Sequence, residues 1–335
     1  MAISRFKKYR QILQEEAKKI RAGEKSRVFN TSNITASVLF IIAVCIWSYY
    51  FTIKPQSSKS EFSDKSKLLK IVFFNLGQGD STLLITPSKK TILIDAGEKP
   101  EYENIIIPYL TKELELRTTD YGLRIIDYFI LSHPHADCYG GFVTLIENQI
   151  IPEIVYNTDF ASPYPAYKTF LETIKNTNAK YIIPALGETV DFGDGISGKF
   201  LGPIPPLDKY RVTKSPENNS SIVMKLTYQN VSVLFTGDIE LEAENDLGAW
   251  RDELKSTVLK VAQHGSKEST SSPFLDRVAP SIAVISAGQE NTLGYPDEST
   301  LKKLADRNIN IVRTDQNGTV TLLTDGKSIK IITER

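Results

Sequence analysis

Two of the three histidines in this 335-residue chain fall in the stretch "SHPHADCYGG", Ser132 to Gly141. His133, His135, Asp137 and Cys138 lie within six residues of one another. Neutral imidazole nitrogen and carboxylate oxygen are natural ligands of Zn²⁺, Mn²⁺ or Fe²⁺, and thiolate sulfur is a good ligand of Zn²⁺. A His-x-His-x-Asp run on an irregular turn aims such atoms at one point. The third histidine, His264, follows the apolar run "VLKVAQ"; Asp95 follows "TILI" and Asp238 follows "VSVLFTG". Each sits where a strand would end, and strand carboxyl ends gather chemistry in α/β folds. Alone, any of these is usually a turn residue. That every histidine of the chain joins the pattern argues against histidines absorbed into a core and for a metal site.

The elements that must position these residues are legible as alternating apolar runs and turns. "LLKIVFF", "STLLIT" and "TILIDAG" read as an opening antiparallel meander, with Gly77, Gly79 and Pro87 to Lys90 supplying turns. Gly77 and Gly79, flanking Gln78, favour a tight turn. "EYENIIIPYLTKEL" reads as a helix, with Pro108 safest in a first turn. "IIDYFILS" is a buried strand ending at the histidine cluster, and "GGFVTLIENQ" is a helix starting after it. Further strands are expected at "EIVYN", "YIIP", "KFLGP", "SSIVMKLTY", "VSVLFTG", "TVLKVA", "IAVISAG" and "INIVRT". Helices are expected over 241–250, 273–278 and 298–306, and a closing hairpin turns at Asp325-Gly326. Two sets of strands with interspersed helices predict two packed sheets with helices outside. They form one domain over 68–335.

Composition is ordinary for a globular protein, with 41% apolar and 24% charged residues. The charge is uneven: residues 1–33 hold nine Lys/Arg against three Asp/Glu, leaving an acidic body. An acidic body lacks the electrostatic footprint of a nucleic-acid binder. Residues 34–53, "ITASVLFIIAVCIWSYYFTI", carry no charge. As a helix they would span about 30 Å, one hydrocarbon core. Trp47, Tyr49 and Tyr50 cluster toward one end, as interfacial aromatics do. The chain is therefore expected to be a single-pass protein of the cytoplasmic membrane. Residues 1–33 form a basic cytoplasmic tail, 34–53 the transmembrane helix and 54–67 a polar linker, with the body outside the cytoplasm. The two cysteines, one in the span and one in the cluster, leave no structural disulfide.

With these residues in view, "HPHADCYGG" resembles the His-x-His-x-Asp-His motif of the metallo-β-lactamase fold. More narrowly, the chain resembles the C-terminal domain of the ComEC-type competence proteins that carry DNA across bacterial membranes. The resemblance rests on "NLGQGDSTLLI", "TILIDAG", "PENNSSIVMKLTY", "LFTGDIE", "LKVAQHGSKESTSS" and "ISAGQENTLGYPDEST", in order, and runs from about Leu69 to Ile331. It leaves out the transporting membrane core of those proteins. It implies a four-layer αββα sandwich and an ordered ligand set. His133 and His135 would hold a first metal and Asp137 a second, while Asp238 would bridge both and His264 would complete the set. Asp95 would steady the histidine turn from behind, and Asp80 would shape the neighbouring loop. Ser266, Gly265, Asn219 and Ser220 are candidates for holding a phosphate oxygen.

Three positions depart from the family pattern. Cys138 replaces a histidine ligand, Gln263 the first histidine of "H-H-G-S", and Tyr295 the histidine of "G-H-P". Cys138 either ligates in its turn or is a small buried residue. The family implies hydrolysis of a phosphodiester, with DNA as the implied partner and one or two Zn²⁺ or Mn²⁺ ions as cofactor. The alternatives are a degenerate domain serving as binding scaffold or sensor, and a hydrolase of cell-wall phosphodiesters or a lactone.

Overall fold

The computed structural model describes residues 64–335 except 115, 120, 121 and 159, together with residue 62 and scattered positions between 11 and 23. The expected span at 34–53 and most of the expected linker lie outside the described residues. Among the described residues no helix is long and apolar enough to cross a membrane. The chain divides into two units, Met1–Glu61 and Phe62–Arg335; the second carries the chemistry.

Its strands, in chain order, are β1 (Leu69–Phe73), β2 (Thr82–Ile85), β3 (Thr91–Ile94), β4 (Arg117–Thr118), β5 (Arg124–Ile130), β6 (Ile150–Tyr156) and β7 (Lys180–Ile182). There follow β8 (Thr189–Gly193), β9 (Ile196–Gly202), β10 (Val223–Tyr228), β11 (Val231–Phe235) and β12 (Val258–Lys260). The last are β13 (Ile282–Ile285), β14 (Asn310–Arg313), β15 (Val320–Thr324) and β16 (Ile329–Thr333). One sheet runs β16-β15-β1-β2-β3-β5-β6-β7, with β4 paired to β5; the other runs β14-β13-β12-β11-β10-β9-β8. The meander β1-β2-β3 is antiparallel, as the turn residues require, whereas β3, β5, β6 and β7 run parallel. In the second sheet β11 to β14 are parallel.

Strand alternation explains the layering. Leu69, Ile71 and Phe73 of β1 face a core shared with Met224, Val258 and Val284 of the second sheet. Val72 and Phe74, one residue out of phase, enter a second core with Phe142, Phe170 and Leu110. A third core packs Leu259 and Val261 against Phe274, Leu275 and Leu304. Three apolar layers between two sheets and two helical faces make the four-layer αββα sandwich.

Two of the elements that differ from the sequence reading are helices near the site. The segment over 99–113 stays helical through Pro108, with wider, π-type turns at Tyr102–Ile106 and Tyr109–Glu113. Wider winding relieves the clash of a proline ring with the carbonyl of the preceding turn. A helix at Pro165–Lys175 also went unread, although Pro165 opens it and Tyr167, Phe170 and Ile174 form its buried stripe.

Between β5 and the helix Phe142–Glu147 the chain must turn under the first sheet. A Cβ at Gly141 would lie 2.2 Å from the Ala96 carbonyl and 2.3 Å from the Tyr102 ring. Gly141→Ala is therefore expected to destabilise unit 62–335 by about 1–3 kcal/mol, the usual cost of overpacking. A lowered urea midpoint would check this, and an unchanged midpoint would refute the packing argument.

Candidate metal centre

The ends of β5 and β11 and the turn after β12 meet at one edge of the sandwich. His133 is fully buried, and its Nε2 lies 3.1 Å from His135 Nδ1 and 3.7 Å from Asp238 Oδ2. His264 Nε2 lies 3.8 Å from the same Asp238 oxygen and 3.4 Å from Asp137 Oδ2. Tetrahedral zinc at ordinary bond lengths separates its ligand atoms by about 3.3 Å. The donor atoms thus fit two adjacent sets sharing Asp238 Oδ2: His133, His135 and Asp238, and Asp137, Asp238 and His264. In the second set the ligand atoms of Asp137, Asp238 and His264 all lie within 4.8 Å of one another.

Neighbouring groups fix the orientation of each ligand. Ser132 Oγ lies 2.9 Å from His133 Nδ1, which leaves Nε2 for a metal. The Ser132 amide donates to Asp95 Oδ1 at 2.7 Å, anchoring the histidine turn to the end of β3. The Gln263 amide donates to Asp238 Oδ1 at 3.1 Å, so Oδ2 is the oxygen turned to the imidazoles. His264 Nδ1 lies 3.0 Å from the Ser286 carbonyl, again freeing Nε2. Gln263 and His264 both adopt left-handed backbone, φ 48° and 53°, and Asp95 does so at φ 60°. Non-glycine residues hold this conformation at a cost, and it gathers at functional sites.

Beneath the ligands lie two groups with different roles. Asp80 is buried and paired with the buried Lys260 ammonium, and its amide donates to the Asp137 carbonyl at 3.1 Å. Lys260 was missed in the sequence, yet a lysine inside the apolar run "VLKVA" has no route to water and needs a buried partner. Burial disfavours both charges. Even so, the Lys260 charge holds the Asp80 carboxyl below its ordinary value, and Asp80 holds the Lys260 ammonium above its own. Burial, with the charge of Asp80 adding to it, pushes the Asp95 carboxyl well above the usual range.

The other candidates fall into distinct places. The Cys138 thiol is buried 3.7 Å from His133 Nδ1, on the opposite side of the ring from Asp238, and 3.7 Å from Ser132 Oγ. It groups with His133 and Asp137 and stands outside the Asp137–Asp238–His264 set. Burial pushes its thiol well above the usual value. Asn219 accepts from the Glu240 and Ala243 amides, capping the helix Leu241–Leu247. Ser220 Oγ donates to the Glu217 carbonyl. Ser266 Oγ accepts from the Glu268 amide, and the Gly265 carbonyl accepts from Asp297. None of these four lines the cavity over the ligands. Asn218 does, and it and Gln263 both donate to Glu240 Oε1, at 3.1 and 3.0 Å. Tyr295 also lines it and lies nearly parallel to the His264 ring, centroids 6.4 Å apart. Glu98 and Tyr164, unread in the sequence, complete the wall of a cavity of about 570 Å³.

The comparisons with known proteins agree with this geometry. Residues 75–289 match the model of the metallo-beta-lactamase superfamily. The chain belongs to the metallo-β-lactamase superfamily. Within it, the chain is homologous to competence proteins. It is 28% identical to ComE operon protein 3 of Bacillus subtilis, over 75% of this chain and 32% of that one. It is 27% identical to competence protein ComA of Neisseria gonorrhoeae, over 74% and 31%. It is 30% identical to recombination protein 2 of Haemophilus influenzae, over 69% and 26%. The chain spans about a third or less of the length of these curated relatives. Superfamily members are metal-dependent hydrolases in general, and the His/Asp donor set found here suits divalent metal.

Without metal, burial resists charge on His264, but Asp238 and then Asp137 raise its imidazolium to about 9. Burial likewise resists charge on Asp137, yet the His264 hydrogen bond holds its carboxyl down at about 2. Burial keeps the His133 imidazole below its ordinary value, hence neutral. Ligation requires neutral His264, so binding there releases a proton below pH about 9. Zinc affinity at this position is expected to rise about tenfold per pH unit from 6.5 toward 9 and then level off. Calorimetry in buffers of different ionisation heat would measure the released proton. A second expectation follows from the placement of the thiol: Cys138→Ser leaves the number of bound ions unchanged by atomic emission.

Proposed function

We propose that unit 62–335 is a metal-dependent phosphodiesterase, tethered to the cytoplasmic membrane by residues 34–53 with the hydrolase outside the cytoplasm. The supporting observation is the single oxygen, Asp238 Oδ2, that faces both His133 Nε2 and His264 Nε2. That arrangement suits two neighbouring cations, either zinc or manganese. When bound, they would supply Lewis acidity at the scissile ester and a water acidified to near neutral pH. Asp137, which lines the cavity beside His264, would orient the attacking water and relay its proton. Asp238 holds the two halves of the site in register. The homology to competence proteins supports a phosphodiester, and a DNA strand in particular, as substrate.

Metal per chain and hydrolysis are measured together. Wild type is expected to hold two ions and to cleave bis-p-nitrophenyl phosphate and single-stranded DNA with added Zn²⁺ or Mn²⁺. Asp238→Ala is expected to lose at least one ion and roughly 100-fold or more in kcat/KM, the scale of losing charge stabilisation at a reacting centre. His264→Ala should keep the His133–His135 ion and lose the other. A wild type that binds no metal would make the domain a scaffold. For the tether, an added C-terminal cysteine should react with a membrane-impermeant thiol reagent in intact cells; protection would reverse the orientation.

A further inference from the structure

The cavity over the ligands carries an unexpected charge balance. Its wall includes Glu98, Asp137 and Asp238 and, among the described residues, no Lys or Arg. Asp137 and Asp238 would be neutralised by the cations they hold. Glu98 would not: exposed at the cavity wall, it belongs to neither ligand set, burial and then the nearby Asp137 charge raise its carboxyl, and among the described residues no lysine or arginine forms an ion pair with it. Its neighbour Lys99 reaches instead to Glu147, at 3.9 Å. The remaining wall is aromatic or apolar, with Tyr139, Tyr164, Leu293 and Tyr295. Tyr164 is 49% exposed and Leu293 63% exposed, so both present open surface to an arriving molecule.

We infer that Glu98 sets the charge selectivity of this cavity: it admits esters bearing one negative charge and disfavours those bearing two. The inference rests on the phosphodiesterase reading and narrows its substrate class. A phosphodiester carries one charge at neutral pH. A phosphomonoester carries nearly two above its second pKa of about 6. Two divalent cations would bring four positive charges against the two negative charges of Asp137 and Asp238, and Glu98 offsets one of the two left over; one negative charge on the substrate then balances the cavity, and no Lys or Arg of its wall is present to take up a second. One extra negative charge facing Glu98 across roughly 6 Å weakens binding about threefold in a water-like medium and about 100-fold in a protein-like one. The favoured substrate is a singly charged diester with a flat or apolar substituent that lies on Tyr164, Tyr295 and Leu293.

The test compares bis-p-nitrophenyl phosphate with p-nitrophenyl phosphate, using the metal-loaded full chain as wild type, E98Q and E98K. Wild type is expected to favour the diester. The ratio of kcat/KM values, diester over monoester, should fall by roughly threefold to 100-fold in E98Q and further in E98K. The change should appear mainly in KM for the monoester and shrink at high salt. Thymidylyl-thymidine with and without a 5′-phosphate should follow the same order. A ratio unchanged in both variants, or a wild type that favours the monoester, overturns the inference. Calorimetry with diphenyl phosphate and phenyl phosphate gives the same ratio from binding alone. Loss of all turnover with an intact binding preference would overturn the phosphodiesterase reading and leave the role of Glu98 standing.

Discussion

Crowding of like charge is the constraint around which this unit is organised. Asp80, Asp95 and Asp238 are buried, and Asp137 lies among them beside His264. Four carboxylates at one edge of a sandwich repel one another strongly in a medium of low dielectric. The protein answers each differently. Asp80 receives Lys260, a buried ammonium with no exit to solvent. Asp95 is pushed toward its neutral form and spends one oxygen on the Ser132 amide. Asp137 and Asp238 share the His264 imidazolium, which gives way when a divalent cation arrives. Removing one member of such a buried set leaves an uncompensated charge, which costs far more than any surface ion pair contributes.

The backbone bears part of the cost of this arrangement. Three site residues, Asp95, Gln263 and His264, sit in left-handed conformation without being glycine. The turn after β12 is so tight that His264 projects sideways, over the Ser286 carbonyl, to meet Asp137 from the other sheet. Hydrogen bonding through the second ring nitrogen fixes both buried histidines as Nε2 donors to the site. That is how a metal site selects one tautomer from two.

The candidate ligands could be named from the sequence because their chemistry is local: His133, His135 and Asp137 share one turn, and Asp238 and His264 each close an apolar run. That two sheets pack with helices outside was legible from the same runs, whereas the order of strands within each sheet was not. What could not be read depends on distant pairing. Lys260 has meaning only beside Asp80, 180 residues earlier. Glu98 follows "DAG" without any motif of its own, and it lies at the cavity where the chain packs closely against Gly140, more than 40 residues on. Asn219 and Ser220 belong to a recognisable segment, yet their side chains are consumed by the helix cap and the local turn. Their neighbour Asn218 is the one that reaches the wall. Cys138 stands where a ligand belongs in the motif, but one turn of short helix, Ala136–Tyr139, sets it against the far nitrogen of His133.

The ligands are divided between the two sheets. His133, His135 and Asp137 hang from the first, and Asp238 and His264 from the second. Neither half alone offers more than three donors. An ion held here would act as a rivet through the stacked layers, because its full donor set exists only where the two halves meet. Capture of a cation would thus be linked to closure of the sandwich, and bound metal would favour the docked layers over the separated ones.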